Sequence, residues 1–301
     1  MLQNLKFRHS LYSRQKVLLA LLRAFGGTLQ NVDMQKYLFL FTVQCEAEPS
    51  FEFVPYRFGC FSFQSYADRR KLIEFGILAN GEGWHLLDAE HELPDGLVKK
   101  ANLFAGKYKS LRGDDLVRRV YRDFPYYATR SEIADRLMTK AELDAIEAAR
   151  PSGSEAVLFT IGYEGQSFEN YLNRLIKNNI KILCDVRKNP LSRKYGFSKK
   201  TLSDTLQKLG IEYMHLPELG IVSDKRRALN TRADYEALFA EYEETTLCNE
   251  QETLNHLVEM IKSYNRVAIT CFEADHCMCH RGRVAQRIAA RPDWSQEVVH
   301  I

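Results

Sequence analysis

The sequence predicts an α/β protein whose second half is a mostly parallel sheet with helices on both faces. From residue 155 onward, short apolar runs alternate with amphipathic segments of helical length, which is typical of consecutive βα units. Before residue 95, three helical segments precede a glycine-rich turn, which indicates a winged-helix-like α+β domain. We therefore predict three parts: that domain at residues 1–95, a helical connector at 96–154, and the parallel α/β domain at 155–301.

Three helices are predicted in the first part. The first follows Ser13, a suitable N-cap, and ends at the glycine pair 26–27. The second begins near residues 31–33, and the third follows Ser62 or Ser65. The residues expected to face the core are Val17, Leu18, Leu21, Leu22 and Phe25 in the first helix, Tyr37, Leu38 and Phe41 in the second, and Leu72, Ile73 and Phe75 in the third.

A β-hairpin is predicted after the third helix. The apolar runs 76–78 and 84–87 flank a turn that contains two glycines, which tolerate the positive φ angles of tight turns. Three helices followed by a hairpin are the order of a winged helix. In such a domain the third helix would contact the nucleic-acid backbone through Arg69, Arg70 and Lys71. The alternative is that this helix docks on a protein, because winged helices serve both purposes.

A short segment before the third helix carries a family resemblance. Tyr56, Gly59, Phe61 and Ser62 follow the spacing Tyr-x-x-Gly-x-Phe-Ser. This segment resembles the Panacea antitoxin-like family, and the likeness extends over about residues 15–87. It implies a winged-helix module.

The connector is predicted to be helical and basic between residues 97 and 149. Basic clusters on a helix usually form a solvated face, and the alternative is a surface that contacts phosphates. The clusters are Lys99 and Lys100, residues 107–112, and Arg118 and Arg119, and the aromatic residues that follow them are Tyr121, Phe124, Tyr126 and Tyr127.

The last part alternates strands and helices, so short connections imply parallel strand pairing. The predicted strands are residues 156–161, 180–185, 211–215, 267–271 and 297–301. The predicted helices are residues 167–177, 198–209, 232–244, 250–264 and 281–290.

Polar segments follow four of these strands, at residues 162–165, 185–187, 216–220 and 271–283. The carboxyl ends of parallel strands meet at one edge of an open sheet, where ligands bind. We therefore expect these segments to converge on one pocket. Two groups of cations lie at this edge, which favours a phosphate-bearing ligand. Those after the second strand are Arg187, Lys188, Arg193 and Lys194, and those after the third are Lys225, Arg226 and Arg227.

The same segments resemble the domain of unknown function 488 family. The residues that carry the likeness are Gly162 to Gly165, Asp185 to Arg187 with Pro190 and Ser192, Leu216 to Gly220, Cys271 with Glu273, and Cys279 to Arg281. It spans nearly all of residues 158–288 and implies the same α/β fold, but it implies no reaction.

Roles for the pocket residues are predicted from side-chain chemistry. The catalytic candidates are Glu164, Asp185, Glu273 and Cys279, and the ligand-binding candidates are Tyr163, Arg187, Arg193, Glu218, His280 and Arg281. Each carboxylate has a structural alternative as a helix cap or as the partner of a loop arginine.

The cysteine-rich segment permits three interpretations. Cys279 is expected at a helix N-terminus, which would lower the pKa of its thiol and make it a nucleophile. The alternative is a zinc site chosen from Cys271, His276, Cys277, Cys279 and His280, although the spacing is tighter than usual. A third interpretation is a phosphatase-like loop, because His276 and Cys277 precede Arg283 at the spacing His-Cys-x5-Arg.

Composition restricts the class of protein. The 301 residues, 45% hydrophobic, are enough for about two globular units. No apolar run is long enough for a membrane span or an export signal, and seven cysteines without such a signal favour thiol or metal chemistry in the cytoplasm. A net charge of +3 permits a nucleic-acid partner without requiring one.

These observations predict a nucleic-acid-associated protein, with DNA the favoured partner, whose α/β domain processes a nucleotide or nucleic acid. The alternatives are a non-catalytic regulator that binds an anionic metabolite, and a metal-binding or cysteine-dependent phosphatase-like enzyme. No cofactor other than zinc is considered, no membrane partner is expected, and a homodimer is left open. The family likeness of both halves suggests a role in phage defence or mobile-element control.

Overall fold

The computed structural model describes residues 10–87, 91–222, 229 and 231–301. Contacts divide the chain into two compact units, Met1–Arg150 and Pro151–Ile301. Each unit has its own cluster of buried apolar side chains. No helix among the described residues has an apolar stretch long enough to cross a lipid bilayer. The predicted cations Lys225, Arg226 and Arg227 lie outside the described residues.

The first unit is mainly helical. Its helices are α1 (Ser13–Ala24), α2 (Asn31–Cys45), α3 (Phe63–Glu74), α4 (Asp95–Tyr108), α5 (Gly113–Asp123), α6 (Ala134–Leu137) and α7 (Lys140–Ala148). Its short strands are β1 (Thr28–Leu29), β2 (Val54–Tyr56), β3 (Gly59–Phe61) and β4 (Trp84–His85).

The first three helices form where the sequence predicts them. Ser62 is the N-cap of α3, and its hydroxyl accepts a hydrogen bond from the Ser65 amide. The predicted hairpin is present, since Leu78 and Leu86 form an antiparallel bridge. Two pairings were not predicted: β1 pairs with β4, and β2 pairs with β3 in a second hairpin between α2 and α3.

The predicted connector packs into the first unit rather than linking two units. Helix α4 contacts α1, and α5 contacts α2. The ring of Phe104 in α4 lies edge-on to those of Phe25 and Tyr37, at centroid distances of 6.1 and 6.4 Å. The structure therefore differs from the expected three-part division, because the apolar faces of these helices complete the core around α1 and α2.

Much of the connector's positive charge is neutralised locally. Several of its arginines form ion pairs with carboxylates of the same unit, as expected for a solvated helical surface. These pairs are Arg118 with Asp115, Arg119 with Asp123, Arg122 with Glu142, and Arg136 with Asp114.

The second unit is a five-stranded sheet with helices packed on it. The strands are β5 (Val157–Gly162), β6 (Ile182–Asp185), β7 (Glu212–His215), β8 (Arg266–Cys271) and β9 (Glu297–His300). The helices are α8 (Phe168–Lys177), α9 (Lys199–Lys208), α10 (Arg232–Tyr242), α11 (Gln251–Tyr264) and α12 (His280–Ala289). All neighbouring strands are parallel, so the predicted parallel α/β domain is confirmed.

The strand order, β7-β6-β8-β5-β9, creates a crevice between β6 and β8. The chain leaves β6 toward β7 through α9, and it leaves β8 in the opposite direction toward β9 through α12. Because the two connections diverge, a gap opens beyond the carboxyl ends of these adjacent strands. The topology therefore determines where a ligand pocket can form.

Candidate functional site

A pocket of about 320 Å³ lies in the crevice between β6 and β8. One wall comes from the loop after β6, and the other comes from Cys271 at the end of β8 and from residues that follow it. The lining residues are Tyr163, Arg187, Lys188, Asn189, Leu191, Ser192, Arg193, Ile221, Cys271, Phe272 and His280. The structure thus brings together five of the predicted site residues in this pocket, Tyr163, Arg187, Arg193, Cys271 and His280.

Asp185 and Arg187 form a closed ion pair beneath the pocket. The Arg187 Nε lies 2.8 Å from one carboxylate oxygen of Asp185, and Nη2 lies 2.5 Å from the other. The Arg187 amide and the Tyr213 hydroxyl donate to the same carboxylate, at 3.1 and 2.7 Å. Asp185 is fully buried. The pair therefore organises the loop, and its carboxylate has no exposed oxygen for a ligand.

The electrostatics of this pair keep the Arg187 guanidinium protonated. Burial alone would lower the pKa of Arg187, but the Asp185 carboxylate and the Tyr163 hydroxyl raise it above its ordinary value. Burial and the same carboxylate raise the pKa of Tyr213, so its hydroxyl remains a donor.

Tyr163 forms the aromatic side of the pocket. Its ring stacks on Phe197 with centroids 4.3 Å apart, and Phe272 lies edge-on to it at 5.3 Å. Its hydroxyl accepts a hydrogen bond from Arg187 Nη1 at 2.9 Å. The Tyr163 carbonyl accepts one from Lys194 Nζ at 2.9 Å. The first contact holds the ring, and the second holds the backbone that carries it.

The loop after β8 is held against the end of β5. The amides of Tyr163 and Glu164 donate to the Phe272 carbonyl, and the exposed Glu164 carboxylate accepts from the Ala274 amide at 2.9 Å. Arg281, buried at 1% exposure, donates to the carbonyls of Glu273 and Ala274. Glu164 and Arg281 thus brace this loop, and neither lines the pocket.

Two thiols, an imidazole and a carboxylate meet at the end of β8. The thiols of Cys271 and Cys279 both donate to Glu273 Oε2, at 3.2 and 2.8 Å. His280 Nδ1 lies 3.5 Å from the Cys271 sulfur. These four ligand atoms lie within 4.8 Å of one another. We call these four residues the thiol cluster.

The expected activation of Cys279 is not observed. Cys279 is the N-cap of α12, as predicted, but it is 1% exposed. Burial, the neighbouring Cys271 thiol and Glu273 raise the pKa of the Cys279 thiol well above its usual range, and Arg281 only partly opposes them. The expectation of a lowered pKa is wrong because desolvation outweighs the helix terminus.

The remaining residues of the cysteine-rich segment lie outside the thiol cluster. His276 and Cys277 form a second, more exposed group with Asp275. Arg283 lines the same 420 Å³ groove as Cys277, but it forms an ion pair with Glu243, and the Cys277 amide donates to Asp275. The donors that a phosphatase-like loop would direct at phosphate are therefore engaged with carboxylates.

Glu218 faces a neighbouring cavity of about 390 Å³. This cavity shares Lys188 and Ile221 with the pocket, but Tyr242 and Thr246 line its far side. Glu218 is exposed there, at the carboxyl edge of the sheet but outside the β6–β8 crevice.

In the first unit, the three predicted nucleic-acid contacts differ in availability. Arg69 donates to the carbonyls of Gly81 and Gly83, at 2.7 Å each, and thereby supports the turn of the hairpin. Lys71 forms an ion pair with Glu74. Arg70 is exposed.

Several functional neighbours were not selected from the sequence. Phe272 lines the pocket, Tyr213 donates to Asp185, and the Phe197 carbonyl accepts from Arg187. These three are ordinary aromatic residues whose roles depend on contacts between distant parts of the chain.

Comparison with known proteins adds one finding. No curated protein and no solved structure matches the chain. Residues 167–288, which make up most of the second unit, match the model of the family described as "Domain of unknown function DUF488", the same family that the sequence motifs resemble.

Proposed function

We propose that the protein is nucleic-acid-associated and that its second unit binds and processes a nucleotide or nucleic-acid substrate in the β6–β8 pocket. The observation that carries this proposal is the composition of the pocket, which combines the exposed ring of Phe272, packed edge-on to Tyr163, with the cations Lys188 and Arg193. Aromatic rings stack on bases, and cations bind phosphates. The volume of about 320 Å³ lies at the lower end of the range for small-molecule sites.

The two rim cations are available to an anion. Lys188 and Arg193 are exposed, and no carboxylate among the described residues forms an ion pair with either. Arg187 is different, because Asp185 neutralises its charge. Phe272 is 42% exposed at the same pocket, so its ring is accessible to a base.

Proton transfer in this proposal falls to Glu164. It lies on the loop after β5 beside the pocket, and Asp185 is excluded because four donors already occupy its carboxylate. Cys279 is a weaker candidate for covalent chemistry, since burial keeps its thiol protonated.

The first unit would bring the second to DNA as a winged helix. Its order of α1, β1, α2, the β2–β3 hairpin, α3 and β4, with β1 paired to β4, supports this assignment. Arg70 on α3 is the available backbone contact. A role in defence or mobile-element control rests on the family resemblances alone.

The experiment is a binding and turnover screen with the full chain. Nucleotides, single-stranded DNA, duplex DNA and RNA are tested by isothermal titration calorimetry, and the products are analysed by mass spectrometry. The double variant Lys188→Glu/Arg193→Glu should weaken binding by about tenfold or more, because it removes two charge-assisted contacts. Lys208→Glu is the matched control, since Lys208 ends α9 far from the pocket edge and is also exposed.

Equal affinity of the double variant and the control would contradict the proposed site. Absence of any product with every substrate class would contradict the processing activity. Unchanged DNA binding by Arg70→Glu, measured by fluorescence anisotropy, would count against the winged-helix assignment.

A second candidate is a non-catalytic regulator that binds an anionic metabolite in the same pocket. The hydrogen bonds to Asp185 favour a regulator. They occupy both oxygens of this fully buried carboxylate, so none is free for proton transfer. A regulator should show thermal stabilisation by its ligand without turnover, whereas an enzyme should lose turnover in Glu164→Gln while it keeps affinity.

A further inference from the structure

We propose that Cys271, Glu273, Cys279 and His280 bind a zinc ion at the carboxyl end of β8. This inference is independent of the proposed nucleotide substrate, because it rests on the ligand set and its geometry. Two thiolates, an imidazole and a carboxylate are ligand types that zinc accepts, and the thiolates favour zinc over magnesium or calcium.

The spacing of the ligand atoms fits a single tetrahedral ion. With zinc bonds of about 2.3 Å to sulfur and about 2.1 Å to nitrogen or oxygen, the ligand atoms of a tetrahedron are separated by roughly 3.5 to 3.8 Å. The Cys271 sulfur and His280 Nδ1 are 3.5 Å apart, and the four atoms lie within 4.8 Å of one another. The Glu273 oxygen, at 3.2 and 2.8 Å from the sulfurs, needs to move outward by less than about 1 Å.

The orientation of His280 supplies an independent argument. Its Nε2 donates a hydrogen bond to the Val186 carbonyl at 2.9 Å. A carbonyl only accepts, so the proton resides on Nε2 and the lone pair of Nδ1 points toward the Cys271 sulfur. Metal-bound histidines characteristically use one ring nitrogen as the ligand and fix the other by such a bond.

The loop that carries Glu273 is held in place by surrounding contacts. Arg281 binds the carbonyls of Glu273 and Ala274. A Cβ atom at Gly162 would lie 1.8 Å from the Glu273 carbonyl oxygen, and one at Gly282 would lie 2.2 Å from the His276 carbonyl oxygen. The fold therefore permits a close approach of the loop that positions the carboxylate and both sulfurs around one point.

The position of the cluster connects it to the pocket. Cys271 and His280 also line the β6–β8 pocket, so a ligand bound there would lie beside the ion. The second group, Asp275, His276 and Cys277, is more exposed and has one sulfur, which makes it the natural internal control.

The test begins with the metal content of the full chain. The reduced protein is incubated with zinc chloride, dialysed against metal-free buffer and analysed by inductively coupled plasma mass spectrometry. We expect about one zinc per chain. Cys271→Ser and Cys279→Ser should each lose most of this zinc, while Cys277→Ser and Cys248→Ser should retain it.

Cobalt replacement tests the same site without any variant. The wild-type chain with cobalt should show a sulfur-to-cobalt charge-transfer band in the near ultraviolet and the intense visible bands of a tetrahedral ion. Glu273→Gln should alter the visible bands, because it replaces a carboxylate ligand. Circular dichroism of each variant separates loss of metal from loss of fold.

Three outcomes would overturn the proposal. The first is wild-type protein that retains no zinc and shows no sulfur-to-cobalt band. The second is zinc that persists in both Cys271→Ser and Cys279→Ser. The third is zinc that is lost in Cys277→Ser but not in those two variants, which would place the ion on the exposed group. A failed nucleotide screen leaves all of these readouts unaffected, so the two proposals fail separately.

Discussion

At the scale of single residues, Asp185 has a different role from the one that its position suggests. A carboxylate at the end of a strand, in a segment with arginine, is a reasonable catalytic candidate. In the structure four donors saturate it, and one of them, Tyr213, comes from the neighbouring strand. Its pairing with Arg187 makes it a support for the pocket wall.

This role predicts a large stability effect at Asp185. Asp185→Asn should destabilise the second unit by about 3 kcal/mol or more, because it leaves the buried Arg187 guanidinium without its counter-charge. Urea denaturation followed by circular dichroism measures the effect. Asp204→Asn is the control, since Asp204 pairs with Lys200 on the exposed surface of α9 and its loss should leave the midpoint nearly unchanged. Equal midpoints for both variants would contradict the structural role.

At the scale of elements, the loop after β8 decides the shape of the site. It is joined to the end of β5 by backbone hydrogen bonds from Tyr163 and Glu164 to Phe272. Gly162 permits this approach, because the Glu273 carbonyl occupies the space that a Cβ would need. The two loops therefore form one assembly although more than 100 residues separate them in the chain.

Gly162→Ala should push this loop away from β5. The expected cost is about 1 to 3 kcal/mol, as for other overpacked sites, with faster hydrogen exchange of the amides at residues 272–279. Hydrogen-exchange mass spectrometry and urea denaturation measure the two effects. Gly106→Ala is the matched control in α4, where no atom lies within 4 Å of the new Cβ and helix propensity favours alanine. Normal exchange in Gly162→Ala would show that the loop position does not depend on this contact.

At the scale of the whole molecule, two separate cores underlie the architecture. The first core includes side chains from α1, α2, α4 and α5, and the second includes side chains from β6, β8, α11 and α12. The segment that opens the second unit belongs to it, since the Gly153 carbonyl accepts a hydrogen bond from Asn179. Each unit thus has the apolar burial that an independent fold requires.

We therefore expect residues 151–301 to fold when expressed alone. The fragment should unfold cooperatively in urea, and the fluorescence of Trp294, its single tryptophan, should shift to longer wavelength in the same transition as the circular dichroism signal. A fragment that begins at residue 157 is the comparison, because it lacks the segment that contains Gly153. A gradual loss of signal in the longer fragment would show that its core is incomplete without the first unit.

The sequence by itself was sufficient to predict the fold of the parallel α/β domain. Strand β5 is buried along its whole length and is correspondingly apolar except for Thr160. The predicted ends of the strands and helices from β5 to β9 agree with the structure within two residues. This works because periodicity, caps and short connections are local properties of the chain. The edge of the sheet at which the polar segments meet follows from the same reasoning.

Only the tertiary structure decided what the individual side chains do at that edge. Asp185 and Arg281 look like catalytic and ligand-binding groups in the sequence. In the structure Asp185 forms an ion pair with Arg187, and Arg281 donates hydrogen bonds to two loop carbonyls. Cys271, Glu273, Cys279 and His280 are a set only because the loop folds back on itself. The connector helices α4 and α5 likewise pack into the first core through contacts with distant residues. Each of these outcomes depends on which distant groups come into contact, and local sequence patterns do not encode that.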